Sequence, residues 1–349
     1  MISTLRDVAL SLVKADPRWS GHTPGDLENY VLATGYDDAP RPHISTSDLI
    51  YVYAANLRNS GGAGVNLLRQ GDMFRGALQG SVVDNQVKPP QPEVLAQLCL
   101  DYLRESGIRL TKDDAMYRRQ LQATAEGQQP TTPLSQHLYS VHDFACLLAR
   151  RYRGCAEDYA ASFEIPVTAG YRRTLLKRLR ELYRFNGIGI ATGLNFLKDS
   201  QVPRFAGSSL ADVRHHPVAS IIKPDRHVMR LMLLLTGRLA RTGIAPDALW
   251  NMKETDALEH YQHCEPTAVW CAQDLCGYAA DLPKPRSGVW KAIADVHALA
   301  DAEEVAPLEI DRLLYLIGSG KYVGGSEIST PQAGRYRALC QTAWQGTAP

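Results

Sequence analysis

The chain lacks any long apolar run. None of its 349 residues lies in a stretch near the ~18 consecutive apolar positions that a membrane helix needs. The longest candidate, Val228 to Leu235, is short and interrupted by Arg230. No membrane span is expected. The chain also lacks an excess of either charge. Its 38 Lys and Arg face 37 Asp and Glu, a formal charge of +1. That excludes a histone-like polycation but leaves nucleic-acid binding to local charge. Cysteine is sparse and odd in number. The seven (Cys99, Cys146, Cys155, Cys264, Cys271, Cys276 and Cys340) are scattered, which argues against a disulfide framework and fits a reducing compartment. Met1 to Lys14 carries Arg6, Asp7 and Lys14 without the charged-then-apolar layout of a leader, so the expected location is the cytoplasm. There is no Gly-x4-Gly-Lys-Ser/Thr phosphate loop, no Gly-x-Ser-x-Gly elbow and no His-Glu-x2-His zinc motif. Common nucleotide hydrolases, serine hydrolases and zinc proteases are therefore not simple answers.

What is present is helical. Hydrophobic residues make up 45% and charged residues 21%, an ordinary globular balance, and the length suggests about two domains. Leu5, Val8, Ala9, Leu12 and Val13 share one face of a helix. Glu93 to Arg104 follows Pro92, a common helix start. Val141 to Tyr152, Tyr171 to Phe185, Asp225 to Leu239 and Trp290 to Ala300 read the same way. Alternating strands are scarce. Asp48 to Ala55 (DLIYVYAA) fits either a short strand or a buried helix. Thr124 to Gln136 is polar, contains proline and has no periodicity, so it reads as a linker. Arg58 to Gly64 and Asp281 to Gly288 are further breaks. The expectation is an all-α protein with an N-terminal helical region over 1–123, a central domain over 136–280 and a C-terminal helical region over 281–349.

The informative segment is Tyr171 to Lys198, YRRTLLKRLRELYRFNGIGIATGLNFLK. Leu175, Leu176, Leu179 and Leu182 mark one helical face. Arg172, Arg173, Lys177, Arg178, Arg180 and Arg184 against Glu181 make the rest basic. Then come Gly187-Ile188-Gly189 and a second helix with Leu194, Phe196 and Leu197 as its apolar positions. Glycines at 187 and 189 permit backbone angles closed to other residues and a close approach to a ligand. The amides that follow, near Ala191 and Thr192, sit at a helix start, where free N–H groups and the dipole attract anions such as phosphate. Ile188 is expected to point inward and lock the two helices. Contacts of this kind position a duplex without reading its sequence. Lys177 and Arg184 are the expected cationic contributors. The competing reading is a solvated amphipathic helix.

Downstream lies Ile221-Ile-Lys-Pro-Asp-Arg-His-Val-Met-Arg230, in which Pro224 and Asp225 mark a helix start. A Gly-Ile-Gly hairpin followed by Asp225-Arg-His-Val228 resembles the helix-hairpin-helix DNA glycosylase superfamily over roughly residues 136 to 280. In its size, its long N-terminal part and its tight Lys-Pro-Asp-Arg-His-Val element, the chain looks most like the phage-related α-glutamyl/putrescinyl thymine pyrophosphorylase branch. The resemblance implies a helical glycosylase-like fold and makes Asp225 the catalytic carboxylate. Bifunctional members carry a catalytic lysine where this chain has Ala191, so a Schiff-base lyase step is disfavoured. Water is then the expected nucleophile and an abasic site the expected product. The implied partner is double-stranded DNA that carries a modified base. Neither a cofactor nor an obligatory protein partner is implied. Defence against phages with modified genomes is the biological role that the resemblance suggests.

A flipped base needs a pocket. Tyr51 and Tyr53 are candidates to stack on it, Asn56 and Asn59 to bond its edge, and Lys223 and His227 to line the site. The competing reading of Tyr51 to Gly64 is a buried aromatic segment followed by a glycine turn, and that of His227 is a structural histidine. His263, Cys264, Cys271 and Cys276 match an iron–sulfur pattern only in their first spacing, because Asp274 and Ala280 stand where further cysteines belong. They are read as buried cysteines, with no metal expected. Two other functions stay open. One is a transferase that adds an amine or amino acid to a phosphorylated hydroxymethyl base, with Arg214, His215, His216 and Lys223 as its cations. The other is a DNA-binding module without chemistry.

Overall fold

The computed structural model describes residues 1–15, 20–32, 44–59, 74–107, 112–128, 133–162, 171–201, 219, 221–223, 225–237, 252, 254–263 and 287–319. Among them the protein is helical apart from one two-stranded hairpin, Val82–Val83 paired with Gln86–Val87. No helix is long and apolar enough to cross a membrane among the described residues. The chain divides into two compact units. One comprises 1–40, 166–176 and 205–349, the other 41–165 and 177–204. This grouping is interleaved, unlike the sequential N-terminal, central and C-terminal division expected from composition. The linker read at Thr124 to Gln136 is helical at both ends, since 124–125 close helix Lys112–Ala125 and 133–136 open helix Pro133–Arg151.

The 41–165/177–204 unit is built around helix Thr46–Asn59. The ambiguity over DLIYVYAA resolves as helix because Leu49, Ile50, Tyr53 and Leu57 fall on one face, and all four are buried. Its start is closed reciprocally. The Asp48 backbone N–H donates to Ser45 Oγ at 3.0 Å, and Ser45 Oγ donates to the Asp48 carboxylate at 2.7 Å. This helix packs against Pro133–Arg151 and Ile190–Gln201. Between them lies an aromatic core. Tyr53 stacks on Phe144 with centroids 4.2 Å apart, and Phe196 meets both rings edge-on. The strand hairpin turns through Asp84 and Asn85, both at positive φ, which the tightest two-residue turns require.

The other unit is centred on helix Arg226–Leu235. Val228 to Leu235 is buried throughout, Arg230 included. A helix that is apolar all round must be covered all round. Helices Glu254–Gln262, Ser287–Ala302 and Pro307–Ser319 supply that cover. Helix Ile2–Lys14 lays Leu5, Ala9, Leu12 and Val13 of its expected stripe into the same unit, while Val8 is half-buried. It packs on Pro307–Ser319, with Arg6 Nη2 2.6 Å from the buried Glu309 carboxylate.

Candidate functional site

The glycine turn lies in the 41–165/177–204 unit and Asp225 in the other, so each is described by itself.

Helix Tyr171–Leu182 ends in a turn whose bonds run from the Phe185 N–H to the Leu182 carbonyl and from the Ile188 N–H to the Phe185 carbonyl. Helix Ile190–Gln201 begins immediately afterwards, and the Gly193 N–H donates to the Gly189 carbonyl at 2.8 Å. The two glycines have different jobs. Gly187 has φ +81°, and a Cβ there would stand 3.2 Å from Leu57 Cδ2 and 3.4 Å from His137 Cδ2. The backbone angle strains any side chain there, and the packing is tight against one. Gly189 has ordinary backbone angles and open space where its Cβ would be. Ile188 is buried, while Ala191 and Thr192 are half-buried on the first turn. The first amides of a helix have no intrahelical acceptor, so the turn presents donors beside an uncrowded Gly189.

A third glycine was not singled out in the sequence. A Cβ on Gly193 would lie 2.5 Å from Leu179 Cδ1 and 3.4 Å from Ile188 Cγ2. It lets the two helices approach closely. An isolated glycine inside a helical pattern was the available signal.

The basic helix is less free than its charge count suggests. Glu181 accepts from Arg151 at 2.5 Å, from the Tyr152 hydroxyl at 2.9 Å and from Arg178 at 2.8 Å. Arg178 also donates to the Tyr152 hydroxyl, and its guanidinium lies 5.2 Å from the centre of that ring. Arg178 therefore braces the fold. Lys177 and Arg184 are exposed. The side chains of residues 171–176 lie outside the described residues.

Asp225 is the N-cap of helix Arg226–Leu235. Its Oδ1 accepts from the His227 N–H at 2.8 Å and the Val228 N–H at 3.1 Å. The side chain is half-buried, and both cap bonds fall on the same oxygen. The carboxylate is thus aimed by a rigid helix, with Oδ2 uninvolved in the cap. Before it, Ile221 and Ile222 are buried, and the Asp225 N–H donates to the Lys223 carbonyl at 2.7 Å.

Three residues expected in a base pocket are buried. Tyr53 has no exposed surface. Its hydroxyl shares a 2.8 Å hydrogen bond with Ser140, and its ring is sandwiched in the aromatic core. Asn56 is also buried. Its Nδ2 donates to the Val52 carbonyl and to Asp199 Oδ2, each at 3.0 Å, and its Oδ1 accepts from Asn195. This amide ties helix Thr46–Asn59 to helix Ile190–Gln201. His227 is 8% exposed. Its Nδ1 accepts from Arg230 Nη2 at 2.9 Å, which puts the proton of the neutral ring on Nε2, and its ring meets Tyr315 edge-on. Spacing alone could not separate these inward-facing residues from a pocket lining. Tyr51 is half-buried, with the Arg75 guanidinium 4.6 Å from its ring centre. Lys223 is half-buried beside Asp225. The Asn59 side chain, residues 60–64, Arg214, His215, His216, Cys264, Cys271 and Cys276 lie outside the described residues. Among the described residues no group of three or more His, Cys, Asp and Glu could hold a metal ion.

Comparison with protein-family models, with curated proteins and with solved structures finds no match to the chain.

Proposed function

We propose that the protein is a monofunctional DNA glycosylase on a helix-hairpin-helix scaffold, acting in the cytoplasm on duplex DNA that carries a modified base. The observation that carries this reading is Asp225, a half-buried carboxylate held through one oxygen by two backbone N–H groups at the head of a buried helix. The glycine turn supports it, with Ile188 inward, Gly189 uncrowded and Lys177 and Arg184 exposed.

The chemistry follows from charge. Breaking the bond between sugar C1′ and the base nitrogen develops positive charge on the sugar, and the base leaves with the bonding electron pair. A fixed carboxylate stabilises that charge. It also accepts the proton of the attacking water, whose oxygen forms the new bond to C1′. The departing base takes up a proton from solvent, Asp225 gives its proton back to solvent, and the products are the free base and an abasic site. Ala191 supplies no amine for a covalent lyase intermediate. The turn amides, with Lys177 and Arg184, grip phosphate and carry no sequence information.

The test incubates the protein with normal, hydroxymethylated and glucosylated phage DNA, followed by alkali treatment and mass spectrometry of bases and nucleosides. Release of a modified base with alkali-labile strands is expected. Asp225→Asn keeps a good N-cap and removes the carboxylate, so it should bind DNA and release nothing. Full activity in that variant would sink the mechanism. A new nucleoside mass without abasic sites, seen when amino acids and phosphorylated hydroxymethyl DNA are supplied, would replace it with base hypermodification.

A further inference from the structure

We infer that Asp311 is a positioning residue for Asp225. The inference rests on the reading of Asp225 as the catalytic carboxylate. The chain reaches Asp225 through Ile221 and Ile222, both buried, so it enters Lys223 from inside the protein, and both backbone groups of Lys223 have partners there. Its carbonyl accepts from the Asp225 N–H at 2.7 Å, which closes a tight turn. Its N–H donates to Asp311 Oδ1 at 3.2 Å. Asp311 is only 4% exposed and sits on helix Pro307–Ser319, which packs along helix Arg226–Leu235.

The same two helices meet closely again two turns further on. A Cβ on Gly318 would stand 2.8 Å from His227 Cβ and 3.2 Å from Leu231 Cδ1. The backbone carrying Asp225 is therefore fixed on both sides by one neighbouring helix, by a carboxylate before it and a glycine contact after it. A hydrogen bond to a carboxylate is stronger than one to a neutral acceptor. Asp311 needs no contact with DNA. It holds the turn that sets where the Asp225 oxygens point.

Asp311→Leu keeps the bulk and removes the acceptor, whereas Asp311→Asn keeps an acceptor oxygen and removes the charge. Hydrogen exchange at single amides is read first, because it needs no substrate. In Asp311→Leu, exchange should rise by about tenfold or more at Lys223, and also at His227 and Val228, whose cap bonds depend on the turn. Asp311→Asn should recover most of that protection. A rise confined to Lys223 would overturn the inference, and so would equal loss in both variants. On a DNA that the wild type excises, Asp311→Leu should lower kcat by about tenfold with KM nearly unchanged, and Asp311→Asn should recover most of it. A change in KM alone would overturn the inference. Were Asp225→Asn fully active, the catalytic reading would fall, while the exchange at His227 and Val228 would still decide whether Asp311 holds the cap.

Discussion

Gly187 and Gly189 are two residues apart in one motif, yet replacing each by alanine should give opposite results. At Gly187 the backbone lies at φ +81°, where an L-residue pays roughly 1–2 kcal/mol. The new Cβ would also press on Leu57 at 3.2 Å and on the His137 ring at 3.4 Å, and Leu57 is fully buried and cannot swing into solvent. Together these should destabilise the unit by about 1–3 kcal/mol. For a unit of this size that is a fall of roughly 3–10 °C in melting temperature. At Gly189 the backbone is ordinary and the space is open. Alanine there should change stability by less than about 0.5 kcal/mol. It should nonetheless weaken DNA binding, because the methyl group would occupy the surface over which a phosphate approaches. Thermal and urea unfolding of the two variants measure the first difference, and salt-dependent DNA binding by Gly189→Ala measures the second. Equal destabilisation by both substitutions would refute the division of labour between the glycines. Unaltered DNA affinity in Gly189→Ala would remove the phosphate from this turn.

Two further outcomes are expected. Tyr53→Phe should cost about 1 kcal/mol, because the Ser140 hydroxyl loses its buried partner. DNA binding should be unchanged, and a selective loss of binding or excision with intact stability would return Tyr53 to a base pocket. The Ile2 backbone N–H, followed by the Met1 ammonium, holds the Glu303 carboxyl below the ordinary carboxylate range, against the opposing effect of partial burial. A carboxyl lowered by folding stabilises the native state above its unfolded pKa, about 4.3, and that contribution is lost as pH falls through the lower folded value. Glu303→Gln should therefore make stability less sensitive to acid in this range, and an unchanged pH dependence would show that the contact contributes nothing.

The helices were largely legible in the sequence because the 3.6-residue period of buried positions is local. Leu5, Ala9, Leu12 and Val13 announce their helix without reference to anything else. The same holds for the turn, where Gly-Ile-Gly between two apolar patterns states its own geometry. Asp225 was legible as a helix start because Pro224 precedes it, and its two cap bonds follow from that position. The burial of Tyr53 and Asn56 was not legible. Tyr53 stands in a run where a strand and a helix were equally permitted, Asn56 directly follows it, and their partners, Ser140, Phe144, Asn195 and Asp199, lie about 90 to 140 positions away. Arg178 misled for a similar reason. Charge arithmetic counts a cation as available, but Glu181 on its own helix and the Tyr152 hydroxyl had already engaged it. Asp311 and Gly318 gave no signal at all, since their importance exists only relative to the helix that carries His227.

The contact of helix Ile2–Lys14 with helix Pro307–Ser319 sets an order of events during synthesis. Helix Ile2–Lys14 and its neighbour Pro24–Leu32 are made long before Pro307–Ser319, the later helix on which the first one also packs, so the stripe of Leu5, Ala9, Leu12 and Val13 is at first incompletely covered. At translation rates of roughly 5–20 residues per second, that apolar stripe waits about 15 to 60 seconds for its partner. The residues of the interleaved unit, 41–165 and 177–204, are all in place well before then. The nascent chain thus passes through a stage at which one unit has every piece it needs, while the other offers an incompletely covered helix to whatever holds unfinished proteins in solution.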